Sequence, residues 1–159
     1  MRILRWLKIP GMVIGFVAGL LVGGLAAMAG APTGYIVVSS LGLGIPLAIF
    51  GAIYDELLDA GRIPFGRIAP VALYGVLTFP IARLVQELLL TAIFGQGITL
   101  QQESGVLSFL VFQGIMGFGY AIGFLMIHSQ IIELSAWRAY RKQAKDEEGN
   151  QPRTAEKRA

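Results

Sequence analysis

Four long stretches almost free of charge, at about residues 11–30, 34–54, 69–94 and 105–132, constrain this chain more than any other feature. A helix needs about 20 apolar residues to cross the roughly 30 Å of a bilayer's hydrocarbon core, and each stretch suffices. In water, four such stretches in a chain of 159 residues would outnumber the surfaces available to bury them. The expected fold is therefore all-α: an integral membrane four-helix bundle over residues 1–133, followed by a basic juxtamembrane segment and tail over 134–159.

Composition agrees. Charged residues make up 14% of the chain, against about a quarter in soluble domains. The 21 glycines lie mostly inside the apolar stretches, where a membrane helix uses them for close backbone approach. No cysteine is present, so disulfides, thiolate metal sites and thiol nucleophiles are excluded. The formal charge of +3 does not point to nucleic acid, because the basic residues flank apolar segments instead of forming a face interleaved with aromatics.

Connections between the stretches orient the chain. Ala31-Pro32-Thr33 and the segment from Gly95 to Ser104 carry almost no charge, whereas Asp55 to Ile68 holds three acids and two arginines. Lys and Arg are retained on the cytoplasmic side during insertion. Arg2, Arg5 and Lys8, then Arg62 and Arg67, then the basic residues after the fourth stretch all fall on that side if the chain crosses four times from the cytoplasm. Both termini are accordingly expected in the cytoplasm and the protein in the cell (cytoplasmic) membrane.

An alternative for the N-terminus is a cleaved signal peptide, since a basic start and an apolar run precede Ala27-Met28-Ala29. Against it, Gly11, Gly15, Gly19 and Gly23 recur every four residues and make one smooth helix face. At the other end, Trp137 and Tyr140 suit the headgroup level, and Arg138, Arg141, Lys142 and Lys145 suit an anionic inner leaflet. Asp146 to Ala159 is polar and is expected to be disordered. No internal repeat emerges.

Arg83 is the most informative position, because it lies near the middle of the third stretch. Charge at that depth faces a bundle interior or a watery cavity and finds a partner; Glu87, one turn on, and Gln86 share its face. Gln113 reaches a similar depth on the fourth helix and is expected to join their network. Pro46 and Pro80 each remove a backbone donor and release a carbonyl, on Gly42 and Val76. Kinked, interrupted second and third helices at mid-depth point to a transport site; equally, Arg83 and Glu87 form a closed pair that fixes register, and the prolines only help packing.

A second cluster is expected at the cytoplasmic rim, where Asp55, Glu56 and Asp59 end the second helix and His128 and Glu133 reach the same level on the fourth. Acids at a helix C-terminus oppose its dipole, and Arg62 and Arg67 are the partners expected for them. Gly51, Asp55, Gly61 and Arg62 resemble the loop between helices 2 and 3 of major facilitator transporters. The longer spacing and smaller number of helices here leave that resemblance implying a comparable charge latch and no more. Asp55-Glu56-Leu57-Leu58-Asp59 resembles the aspartate-rich diphosphate motif of prenyl-processing enzymes, which implies carboxylates holding magnesium on phosphates, with Glu133 as the nearest further acid. Zinc-binding His pairs, nucleophile elbows and Walker loops are absent from the sequence.

The leading expectation is a transport or binding component with a polar midplane site on Arg83, Glu87, Gln86, Gln113, Gly42, Pro46 and Pro80, without cofactor or metal. The alternative is an accessory or assembly subunit with no ligand of its own; a membrane enzyme acting on a lipid or prenyl diphosphate comes third. Four helices are few for a complete pathway. A homo-oligomer or a larger membrane complex is therefore expected, with the first helix's glycine face and Gly114, Gly117 and Gly123 as contacts, unless these serve wholly within the bundle.

Overall fold

A computed structural model describes residues 10–64, 66–95 and 105–150; of residues 135, 136, 139 and 144–150 it describes the backbone alone. Four helices follow one another: α1 (Pro10–Met28), α2 (Thr33–Asp59), α3 (Ile68–Phe94) and α4 (Gly105–Asn150). Each contains a span long and apolar enough to cross a membrane, that of α4 covering Gly105–Leu134. Arg2, Arg5 and Lys8 lie outside the described residues.

Glycine punctuates the helix ends. Gly30 takes φ 77°, its N–H bonding to the Ala27 carbonyl while that of Ala31 reaches back to Ala26; this double bond is a Schellman cap. The small residues that read as a cleavage site are thus, in the folded chain, a helix terminus. Gly61 repeats the arrangement, with Gly61 bonding to Leu58 and Arg62 to Leu57, so the Gly61-Arg62 pair that resembled a facilitator loop serves here as a C-cap.

Helix α4 outruns its expected end near residue 132. The segment from Ser135 to Glu148 is rich in Ala, Arg, Lys, Gln and Glu, which propagate a helix readily in water, and the helix lasts until Asn150. The first residues of the expected disordered tail, 146–150, are therefore helical; 151–159 lie outside the described residues.

Two antiparallel hairpins, α1 with α2 and α3 with α4, form the bundle. They meet chiefly along α2 and α3, while α1 touches α4 lightly. Glycine sets the tightness of both hairpins. Any Cβ placed on Gly11 would fall on the Gly51 carbonyl and one on Gly51 would fall on that of Gly11; Gly75 and Gly117 clash reciprocally in the same way. Gly15 lies against Leu47, Gly19 against Gly44, and Gly23 against Ser40. The glycine face of α1 is consequently used inside the protomer. Of the α4 set, Gly117 packs on α3, Gly114 makes ordinary contact with Val76, and nothing approaches Gly123.

The interior holds two apolar clusters. Ile14, Tyr54, Val71, Ala121, Phe124 and Leu125 form one, and Leu43, Leu47 and Ala82 the other. Large apolar side chains also cover the outside, Leu21, Leu25, Leu73, Leu77, Phe112, Ile115 and Met126 among them. Soluble monomers rarely expose contiguous apolar patches of more than a few hundred Å², whereas such a girdle suits hydrocarbon.

Both prolines sit at the middle of their helices, yet α2 and α3 are each a single unbroken helix through Pro46 and Pro80. The interruption expected at mid-depth is absent. One missing donor removes one bond from the ladder, and the neighbouring turns remain packed in the bundle.

Candidate functional site

Polar side chains gather in two layers inside the bundle. Ser39 marks one and Asp55 the other; at 1.5 Å per residue they stand about 24 Å apart along α2.

The first layer contains the residues expected at mid-depth. Arg83 lies two residues past the midpoint of α3, about 3 Å at helical rise. Its guanidinium donates to Gln86 Oε1 and to Glu87 Oε1, the latter at 2.9 Å. Gln86 passes the interaction to α2: its Nε2 donates to the Ser39 carbonyl at 2.9 Å and to Ser39 Oγ at 2.6 Å. Only 1% of Gln86 is exposed. A directional chain results, in which the arginine donates to both acceptors and the glutamine amide reaches the neighbouring helix. The pair is not sealed, for 23% of the Arg83 side chain and 12% of that of Glu87 remain accessible.

Gln113 is buried on α4, but the hydrogen bonds found among the described residues do not join it to Glu87, as expected from depth alone. Equal depth says nothing about facing. Gly42 and Pro46 are likewise placed otherwise than expected. They line a groove of about 510 Å³ between α2 and α3, together with Val38, Leu41, Ile45, Val85 and Leu89. Its walls are apolar throughout. At its floor the backbones come close, a Cβ on Gly42 being in contact with Leu89 and with the Cα of Gln86.

The second layer corrects the expected cytoplasmic rim. Asp55 is buried and does not pair with Arg62 or Arg67, both of which are exposed. Its Oδ1 lies 2.6 Å from His128 Nε2 on α4, and its Oδ2 accepts the Gly11 N–H of α1 at 2.8 Å. The last turn of α2 is an unfavourable place for an acid; because α1 runs antiparallel, that same place is beside the N-terminus of α1, whose first amides lack intrahelical partners. An acid opposed by its own helix is thus welcomed by its neighbour. Glycine at position 11 permits this, since a side chain there would strike both Gly51 and the carboxylate.

His128 is 1% exposed. Phe124 stacks beneath its ring at 5.5 Å between centroids, and Tyr54 stands edge-on at 5.4 Å. A carboxylate in its ionised form only accepts, and with that form at Asp55 the bond requires the proton on Nε2. The other nitrogen, Nδ1, has no partner among the described residues, nor has the Tyr54 hydroxyl, and both atoms are fully buried. Glu56, Asp59 and Glu133 are exposed. With Asp55 turned inward and Asp59 outward, the acids resembling a diphosphate motif do not converge, and no cluster of three metal-ligating side chains occurs among the described residues.

At the far end of α4, Arg138, Arg141 and Lys142 are exposed. The Arg141 guanidinium lies 3.6 Å over the Trp137 ring, a cation–π contact that holds the charge against the indole. The Lys145 side chain is outside the described residues.

Sequence reading missed Ser39, Tyr54 and the Gly11 amide as polar-layer members. A signal for the second layer was present in the equal depth of Asp55 and His128; a helical wheel cannot show that both face the bundle axis from opposite corners.

Fold and site together define a small all-helical protein with four helices long and apolar enough to cross a membrane, as in a multi-pass membrane protein. No family model, curated protein or solved structure matches the chain.

Proposed function

We propose that this protein is a small membrane binding or transport component that receives a lipid-like hydrocarbon chain in the groove between α2 and α3. The groove itself carries this reading: about 510 Å³ is within the roughly 300–1,000 Å³ of small-molecule pockets. It lies on the outside of two spans, and only apolar side chains line it. In a bilayer it meets hydrocarbon first. Those walls attract an acyl or prenyl tail and offer a polar substrate nothing, which moves the expected binding site from Arg83 to the face bordered by Gly42 and Pro46.

The test is photolabelling of the reconstituted protein with a lipid bearing a photoactivatable acyl chain. Ile45→Trp and Val85→Trp fill the groove from partly exposed wall positions, where the fold is expected to tolerate the larger ring. Labelling of α2 and α3 is expected to fall by on the order of tenfold, equivalent to about 1.4 kcal/mol of affinity. Undiminished labelling of both variants would dismiss the groove as a binding site.

The polar layer favours a second reading, that of an accessory subunit. The Arg83 guanidinium, the Glu87 carboxylate, the Gln86 amide and Ser39 engage one another, as in a fastener between helices. A double-mutant cycle tests the fastener. For a fastener, Arg83→Ala and Glu87→Ala each destabilise the bundle and couple by about 1 kcal/mol, while lipid labelling in the groove is unchanged or absent throughout. If the single variants are as stable as the parent and show no coupling, the accessory reading is wrong.

A further inference from the structure

The second polar layer is not used by either reading, yet it joins three helices through one carboxylate. Asp55 of α2 holds the first turn of α1 through Gly11 and reaches across the bundle to His128 of α4. We propose that the Asp55–His128 pair is a proton-binding site within the bundle, loaded at His128 Nδ1 and read out at the N-terminus of α1.

Two opposing effects act on the pair. With the carboxylate ionised and the ring neutral, the pair carries one negative charge; adding a proton to Nδ1 forms an imidazolium and leaves it with none. No other bond is made or broken. Low-dielectric surroundings favour the loaded state, whose two opposite charges leave no net charge, over the lone anion of the empty state. The N-terminus of α1 favours the charged, empty state, because its partial positive charge and the Gly11 N–H both stabilise the carboxylate.

Two buried atoms near the pair have hydrogen-bonding capacity to spare. His128 Nδ1 and the Tyr54 hydroxyl are both buried without partners among the described residues. One is an acceptor in the neutral ring, and the other both donates and accepts. Every element contributes surroundings. Gly11 N–H comes from α1, with Arg5 and Lys8 preceding it outside the described residues. From α2 come Tyr54 and, on the exposed face, Glu56 and Asp59. Tyr74 of α3 stacks obliquely 5.8 Å from Tyr54 and donates its hydroxyl proton to the Phe50 carbonyl. From α4, Tyr120 flanks Phe124 and Glu133 is exposed. Among the described residues none of these side chains competes for the imidazole. Loading the site weakens the net charge that holds Gly11, so the α1 terminus is held firmly when the site is empty and less firmly when it is full.

The sequence makes the test clean. His128 is the only histidine, and Pro10-Gly11 is the only Pro-Gly pair, so ring-labelled histidine reports on one residue, and paired labelling of the proline carbonyl and glycine amide on one amide, of the full chain in lipid nanodiscs. Between pH 5 and 9 the His128 ring nitrogens are expected to titrate with one midpoint, and the Gly11 amide to move with the same midpoint. In Asp55→Asn the Gly11 response should vanish and the His128 midpoint move by about one pH unit or more. Ring shifts that stay flat across the range, or a Gly11 amide that does not follow them, would overturn the proposal in the wild-type protein alone, whether or not the variant folds. A His128 midpoint unchanged in folded Asp55→Asn would overturn it as well.

Discussion

Tyr54 shows how much a single buried atom can decide. Its ring is fully enclosed, packing edge-on against Phe124 at 5.2 Å, but its hydroxyl has no partner among the described residues. A buried donor left unmade costs about 1–3 kcal/mol. Tyr54→Phe should therefore stabilise the protein by about 1 kcal/mol, measured as resistance to denaturant in detergent; a clear loss of stability would mean that the hydroxyl is engaged in the folded bundle. Asp55 is the opposite case. A carboxylate that bonds two other helices leaves a charged partner or an orphaned amide behind when removed, and its identity as an acid was plain from the sequence while its partners were not. Arg62 and Arg67 were nearer along the chain, but the helix terminus and the imidazole were nearer in space.

At the scale of the helix, shape is set by where side chains are missing. Gly15 faces α2 so closely that any added carbon meets the Leu47 backbone, whereas Gly24 has nothing within 4 Å. Gly15→Leu should force α1 from α2 and cost several kcal/mol, about the 1–3 of a typical overpacked core or more because backbone must move. Gly24→Leu should be close to neutral. Thermal unfolding of the two variants side by side checks this, and equal losses would contradict the contact. Periodicity in the sequence identified the glycine face; only the folded chain shows that its counterpart is α2, within the same protomer. Pro46 and Pro80 were legible as missing donors, and the surrounding packing carried both helices through them.

For the molecule as a whole, the distribution of charge predicts its sidedness. Retention of basic loops in the cytoplasm is expected to put Arg62 and the basic stretch after α4 on one face and the α1–α2 turn on the other. The chain has no native cysteine, so single cysteines report without background. Ala31→Cys should react with a membrane-impermeant thiol reagent added from outside to intact cells, and Arg62→Cys only after the membrane is permeabilised. The reverse pattern would invert the topology.

What the sequence by itself determined was the number of helices long and apolar enough to cross a membrane, the approximate limits of those four spans, the residues able to come close, and the position of each charge along its helix. These follow from length, polarity and periodicity, all of which are local properties of a helix. Facing was decided by the tertiary structure: that Gln86 reaches Ser39, that Gln113 is not bonded to Glu87, and that Asp55 meets His128 across the bundle. Depth along a helix is a count of residues, but contact across a bundle depends on rotation about four axes together. That rotation is set by which glycine faces dock, a property of pairs of helices that no single stretch contains.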